Sequence, residues 1–248
     1  MSTSPDVWGI DGDIVCYAVG FAAEGDPLAF ALHSTKAMLQ DIINDCGSEG
    51  IIYLTGSTNY RNEVASEAYP YKGNRSNASK PRHLKDIREY MIDQFDAIVS
   101  ENEEADDLMG IGAVQKGHGI ATIDKDLLGV PGHHWNWKRR EYVVTTEEES
   151  DRFFYKQLLS GDSTDNIPGL FKMVNRKATK KITTPLDEMT KVDDMYKHVF
   201  SVYCDGYESA GMCLDDMEET VTNWLTRIGQ CLWIRRAAGE MWVPPNGS

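Results

Sequence analysis

Gly119-Ile120-Ala121-Thr122-Ile123-Asp124-Lys125-Asp126 decides how the chain is read. Its first five residues read as a short buried strand, and the run stops on two carboxylates. The same pattern occurs upstream. Val7-Trp8-Gly9-Ile10 ends in Asp11-Gly12-Asp13, and Ala97-Ile98-Val99 leads within a few residues to Glu104-Ala105-Asp106-Asp107. Ile51-Ile52-Tyr53-Leu54 adds a strand followed by Thr55. Helical periodicity separates these runs. One helix is predicted from Ser34 to Cys46, with Leu39, Ile42, Ile43 and Cys46 at helical spacing. Another is predicted from His83 to Phe95 and a third after the Glu104 cluster. Strand–helix alternation of this kind implies an α/β fold, with a mainly parallel central sheet and helices on both faces. Sites in such folds lie at the carboxyl ends of the strands. Acids in a first helical turn also suit the macrodipole. Three carboxylates in four residues exceed what a cap requires.

A second stretch, Gly161-Asp162-Ser163-Thr164-Asp165-Asn166-Ile167-Pro168-Gly169-Leu170, sets two carboxylates three residues apart. No acid then occurs before Asp187, while Lys172, Arg176, Lys177, Lys180 and Lys181 recur every three or four residues. On a helix several of these would share one face. An anionic cluster thus abuts a segment suited to phosphate. Residues 58–82 mix basic, aromatic and breaker residues without apolar periodicity, among them Arg61, Tyr71, Lys72, Arg75, Lys80 and Arg82. That composition reads as a long functional loop or arch suited to a phosphate backbone.

The net charge of −14 over 248 residues argues at first against a polyanionic partner. The charges are segregated, however, and the local field at a contact face matters more than the total. Five cysteines, with no C-x-x-C pair, favour reduced thiols and no zinc site. No signal-peptide pattern and no membrane-length apolar run is present. A cytoplasmic location is expected, with no membrane partner. His133–Trp137 and Tyr142–Val144 read as a hairpin around the basic turn Lys138-Arg139-Arg140, and helices are expected beyond Asp187. The expected organisation is an α/β core over residues 1–150, with the basic arch and helix at 58–95. A helical module at 151–186 and C-terminal helices at 187–248, packing on the core, complete it.

Eight acids are candidates for one pocket: Asp11, Glu104, Asp106, Asp107, Asp124, Asp126, Asp162 and Asp165. So many clustered carboxylates cannot all remain ionised without cations. Oxygen-only ligands select hard ions such as Mg²⁺, which keeps waters and substrate phosphate in its shell. Two such ions suit in-line hydrolysis of a phosphodiester. Lys72 and Arg75 are candidates to offset charge on the phosphate.

On Asp11–Asp13, Tyr71–Arg75, Glu104–Asp107, Asp124–Asp126 and Gly161–Gly169, in that order and spacing, the chain resembles the flap endonuclease / 5′-to-3′ exonuclease family, and within it the phage-type enzymes. The resemblance spans roughly residues 7–182. It implies a PIN-like nuclease core, a helical arch or loop that takes a 5′ end, and a helix-three-turn-helix module on duplex DNA. It implies hydrolysis from 5′ ends or flaps in DNA replication or recombination, leaving 5′-phosphate products, with RNA in RNA–DNA hybrids as a further substrate. Mg²⁺, or Mn²⁺ in its place, would serve as cofactor. Asp11, Glu104 and Asp106 would serve mainly one ion, and Asp124, Asp126, Asp162 and Asp165 mainly the other. Asp11, Lys72 and Arg75 would act at the scissile phosphate. Duplex contacts would come from Arg61, Tyr71, Lys72, Arg75, Lys80, Arg82, Lys172, Arg176, Lys177 and Lys180.

Two positions depart from the family. Thr55 stands where many relatives have an aspartate. Lys172 and Val174 stand where the DNA-binding turn usually has glycines that let backbone amides, and often a potassium ion, meet phosphate. A side-chain contact by Lys172 is the expected substitute. Two rival readings follow from parts of the same pattern. Asp11-Gly12-Asp13 with Thr55 and Gly161–Asp165 resembles haloacid-dehalogenase-type phosphatases, with Asp11 as nucleophile and Asp13 as acid/base. The other rival is a non-catalytic DNA-end-binding protein.

Overall fold

The computed structural model describes residues 4–75 and 78–245. In chain order the elements begin with β1 (Val7–Asp11), α1 (Gly12–Ala22), α2 (Leu28–Cys46), β2 (Glu49–Leu54), α3 (Arg61–Val64), α4 (Leu84–Phe95) and β3 (Ile98–Val99). They continue with α5 (Ala105–Lys116), β4 (Gly119–Ala121), β5 (Gly132–Asn136), β6 (Glu141–Thr145), α6 (Glu147–Ser160), β7 (Gly161–Asp162) and β8 (Ile167–Pro168). The last are α7 (Leu170–Val174), α8 (Lys180–Thr183), α9 (Val192–Ser209) and α10 (Met217–Leu232). The chain divides into two compact units.

The first unit is Met1–Asn59, Ala78–Thr146 and Ile234–Glu240. Its sheet has the order β3-β2-β1-β4-β5-β6. The β3, β2, β1, β4 and β5 neighbours pair in parallel, and β6 returns antiparallel to β5 as the sequence hairpin predicts. Gly9 lies opposite both Ile51 and Ile120, so β1, β2 and β4 end together. Successive strand residues point to opposite faces. Ile52 and Ala121 accordingly pack with Val15, Leu39, Ile87 and Met91 from α1, α2 and α4. Tyr53 and Ile120 pack with Met109 of α5, Leu127, Val130 and Ile234. Helices therefore cover both faces, which is why the strands read as near-continuous apolar runs.

Three boundaries differ from the sequence reading. Helix α1 is invisible to periodicity because Tyr17 and Phe21 are exposed while Val15, Cys16 and Val19 are buried, so apolar residues surround it. Helix α2 begins at Leu28, directly after Pro27, because exposed Leu28 and Phe30 blur its first turns. Strand β4 ends at Ala121 because the Asp124 amide folds back onto the Thr122 hydroxyl at 3.0 Å.

The second unit is Tyr60–Asn77, Glu147–Trp233 and Met241–Ser248. One core joins Phe154 and Leu158 of α6, Leu170 of α7, Val199 and Tyr203 of α9, and Leu225 and Ile228 of α10. The segments expected as separate at 151–186 and 187–248 thus share a core, because α9 is apolar toward both α6 and α7. The expected arch at 58–95 divides too: residues 60–77 belong to this unit, and α4 belongs to the first. The basic run after Gly169 is not one helix face. It breaks into the short helices α7 and α8, with Asn175 left-handed at φ 54° between them. Gly161 and Gly169 close the turn between α6 and α7. Gly161 has φ +68°, and a Cβ on it would stand 2.4 Å from the Ile167 carbonyl oxygen; a Cβ on Gly169 would stand 2.4 Å from the Gly161 nitrogen.

Arg61 and Tyr71, expected on a DNA face, are buried in this unit. The Arg61 guanidinium donates to the Cys231 carbonyl at 2.9 Å and the Trp233 carbonyl at 2.7 Å, and stacks over the Tyr60 ring. A guanidinium so committed ties α3 to the end of α10. Arg61→Ala leaves buried carbonyls without donors. The expected outcome is a loss of roughly 3 kcal/mol, read as a lower urea midpoint at unchanged m-value.

Candidate active site

In the first unit, the shared ends of β1, β2 and β4 place the acids. Asp11 closes β1 and caps α1, with Oδ1 accepting the Ile14 amide at 3.1 Å. Its Oδ2 accepts the Thr122 hydroxyl at 2.8 Å. The Thr122 oxygen in turn accepts the Asp124 amide at 3.0 Å, and Asp124 Oδ1 accepts the Asp126 amide at 2.9 Å. One hydroxyl therefore sets the position of Asp124 relative to Asp11. Asp11 is 3% exposed. Its burial pushes the carboxyl up to about 7, and repulsion from Asp13 and Asp124 adds to this; the Ile14 amide and Thr122 hydroxyl act in the opposite direction.

The start of α5 contributes the second group of acids. Glu104 and Asp107 form a reciprocal capping box. Asp107 is fully buried, with Oδ2 accepting the Glu104 amide at 2.9 Å and Oδ1 the Arg235 amide at 3.0 Å. Both oxygens serve backbone donors, so Asp107 positions the helix start, while Glu104 is buried beside it and Asp106 is half-buried. Thr55 holds the β2 end of this edge. Its hydroxyl accepts the Ala105 amide at 3.1 Å and its amide donates to Asp13 Oδ2 at 2.8 Å. Arg88 of α4 pairs with Asp13 Oδ1 and donates to the Thr55 carbonyl at 2.6 Å. Asp13 is thus held between the Arg88 guanidinium and the Thr55 amide.

Among the described residues, no three His, Cys, Asp or Glu side chains converge closely enough to hold a metal ion. The donor chemistry still fits a hard divalent cation. Mg²⁺ is usually anchored by one or two carboxylates, with waters and substrate phosphate completing its shell. Asp11 and Asp124 are the two carboxylates of this edge that fit that role; burial is the main cause of the raised Asp11 pKa, and repulsion from Asp124 is its smallest contribution.

Asp162 and Asp165 lie in the second unit. Asp162 Oδ1 accepts the Thr164 amide at 2.8 Å. Asp165 pairs with both predicted phosphate cations: Lys72 Nζ stands 3.7 Å from Oδ2, and the Arg75 guanidinium pairs with Oδ1. The Tyr71 hydroxyl also donates to Oδ2, at 2.8 Å. The Lys72 amide donates to the Asp165 carbonyl at 2.8 Å, with Lys72 left-handed at φ 53°. The two motifs read separately in the sequence, Tyr71–Arg75 and Gly161–Gly169, are thus stapled together. The remaining predicted DNA contacts are surface residues. Lys80, Arg82, Lys172, Lys177 and Lys180 are exposed and Arg176 is half-buried. Arg176, Lys177 and Lys181, with His198, line an open groove of about 520 Å³.

Thr122 and Arg88 escaped the sequence reading. A threonine two residues before Asp124, ending an apolar strand, was the available signal for the first. Arg88 beside the buried stripe position Ile87 carried none.

Two outcomes follow. Because the folded Asp11 carboxyl titrates near 7 and an unfolded one near 4, the native state binds the extra proton between these values. Stability of the metal-free chain then falls as pH rises from about 4 to about 7 and is flat above. Asp11→Asn removes this loss, so in excess chelator its melting temperature should exceed that of the parent by a margin that widens from pH 5 to pH 8. Asp165→Asn frees Lys72 and Arg75. A duplex DNA probe in Ca²⁺, the polyanion that the sequence reading calls for, should then bind the variant more tightly than the parent, with a slope of log affinity against log salt steeper by about one to two units.

No family model and no curated protein matches the chain. Solved structures do. A bacteriophage T5 protein crystallised with metal ions superposes with a TM-score of 0.51 at 15% identity, covering 90% of this chain and 99% of that one. The bacteriophage T5 flap endonuclease, in a product complex with DNA and metal ions, superposes at 0.52 and 15% identity, covering 90% and 98%. The parallel sheet and its helical layers are accounted for together: the chain has the fold of these bacteriophage T5 proteins.

Proposed function

We propose that the chain is a divalent-metal-dependent nuclease that hydrolyses phosphodiesters of duplex DNA from 5′ ends or flaps, leaving 5′-phosphate products, with RNA in RNA–DNA hybrids as a further substrate. One observation carries the reading. A buried carboxylate, Asp11, is locked to Asp124 through the Thr122 hydroxyl, at the carboxyl edge of a sheet with this fold. The T5 structures, described as holding metal ions and DNA, support it.

Asp11 and Asp124 would anchor Mg²⁺ or Mn²⁺, with Glu104, Asp106 and Asp126 the further carboxylates of the same unit. When bound, such an ion lowers the pKa of water and neutralises charge on the phosphate. Thr122 fixes the separation of the two anchoring carboxylates. Thr55 and Asp107 hold the start of α5, and with it Glu104 and Asp106, against the sheet edge. Lys72 and Arg75 supply positive charge to phosphate, held in readiness by Asp165, while Asp162 shapes the turn that carries Asp165. The exposed Lys80, Arg82, Lys172, Lys177 and Lys180 bind backbone phosphate without reading sequence. This assignment describes a protein working where DNA is replicated or recombined.

Asp124→Asn should lower the rate of cleavage of a 5′-labelled duplex by several orders of magnitude and leave duplex affinity in Ca²⁺ within a few fold. Undiminished cleavage by the parent chain in excess chelator, or release of inorganic phosphate alone, would exclude the assignment.

A further inference from the structure

The hairpin of β5 and β6 encloses a feature that the acid set does not use. A concavity of about 580 Å³ lies between this hairpin and the turn after β4. That is within the usual range for small-molecule sites, roughly 300–1,000 Å³. Thr122 and Asp124 form one wall, and Lys125, Lys138, Arg139 and Asn136 line the rest. Its lining holds two carboxylates, Asp124 and Glu141, and three cations.

The state of those cations sets them apart. Arg75, Arg88, Arg140 and Arg235 are each paired with a carboxylate. Among the described residues, Lys125, Lys138 and Arg139 form no such pair, and all three are exposed. The hairpin that presents Lys138 and Arg139 is nonetheless fixed. The Asn136 side chain accepts the Arg139 amide at 3.0 Å, and Arg140, left-handed at φ 54°, is anchored on Asp45. His134, on the same wall, is buried against the Val130 carbonyl, and burial lowers its pKa, so it adds no charge near neutral pH. A fixed turn that presents cations in no ion pair to a cavity holding three cations and two carboxylates suits an anion. The wall shared with Asp124 places that anion next to the carboxylates assigned to phosphodiester chemistry.

We propose that this concavity is a nucleotide subsite, in which Lys138 and Arg139 hold the phosphate of a nucleotide of the nucleic-acid strand adjoining the cleavage position. The inference rests on the nuclease reading for the identity of the strand. Lys125, one residue from Asp124, closes the subsite on the side of the acids. Occupancy by a nucleotide brings its phosphate charge against three cations, while the cavity excludes strands whose backbone cannot enter beside Asp124.

The test uses the full chain with Lys138→Gln and Arg139→Gln together, both exposed turn positions whose backbone contacts survive. Binding of a fluorescent 5′-phosphorylated duplex is measured by anisotropy in Ca²⁺ across a salt series. Inhibition of cleavage by deoxyadenosine monophosphate and by deoxyadenosine is measured in Mg²⁺. The double variant should bind the duplex about tenfold more weakly, with the log–log salt slope reduced by about two, since each phosphate contact contributes ~0.9. Deoxyadenosine monophosphate should inhibit the parent and lose about tenfold in potency against the variant, whereas deoxyadenosine should inhibit neither. Cleavage by the parent together with unchanged affinity, slope and inhibition in the variant would overturn the subsite and leave the nuclease reading intact. Absence of cleavage by the parent in any divalent ion would overturn the nuclease reading. The binding arm then still decides whether the cavity takes nucleic-acid phosphate, because unchanged affinity and slope reject it. A parallel Lys138→Ala, Arg139→Ala variant, checked for an unchanged melting temperature, guards against a folding artefact.

Discussion

The contact on which the first unit turns is the hydroxyl of Thr122, which donates to Asp11 and accepts the amide of Asp124. A carboxylate buried as deeply as Asp11 is unfavourable unless it is hydrogen-bonded or protonated. The Ile14 amide and the Thr122 hydroxyl supply the bonds, yet the group still titrates near neutrality. The sheet imposes this condition. Strand β1 is central, covered on both faces, and its last residue is already inside the protein. Moving the acid outward would require a longer strand and would separate it from Asp124. The raised Asp11 carboxyl therefore follows mainly from where the sheet ends, with neighbouring charge a smaller cause.

The same constraint organises the neighbouring elements. Thr55 ends β2 with three hydrogen bonds, to Asp13, Arg88 and the first turn of α5. Asp107 ties that turn to the Arg235 amide, which brings residues 234–240 back to the sheet. An aspartate at position 55 would add a further charge beside Asp13. Threonine instead supplies an acceptor for a helix N–H at no charge. In this chain Thr55 therefore caps α5 without adding a carboxylate to the edge.

How much of this was legible depended on range. The strand-then-acid grammar was readable because both strand faces are buried and the carboxylates fall just past each run. Helix α1 was not, since a helix apolar on its exposed side carries no period. Asp107 was read as a ligand because a carboxylate at the third helical position looks the same in sequence whether it caps or coordinates. Its role became clear only from the Arg235 amide, 128 residues away in the chain. Arg61 and Tyr71 were read as a DNA-binding pair for a similar reason. A basic and an aromatic residue in an aperiodic loop suit nucleic acid, but the carbonyls at the end of α10 and the carboxylate of Asp165 claim them. Local pattern reports residue type, and only tertiary contacts decide which charges remain available.

That distinction also resolves the conflict between a net charge of −14 and a polyanionic partner. A protein-wide negative field disfavours nucleic acid at long range, though salt confines that field to about 10 Å at 0.1 M. What acts at contact is the set of cations left uncompensated by carboxylates. Arg61, Arg88, Arg140 and Arg235 are spent on structure, and Lys72 and Arg75 are held by Asp165. Cations outside such pairs line the groove beside α9 and the cavity beside Asp124, and others, Lys80, Arg82, Lys172 and Lys180 among them, are exposed elsewhere. The acidity of the chain is compatible with DNA binding because its positive charge is placed, not abundant.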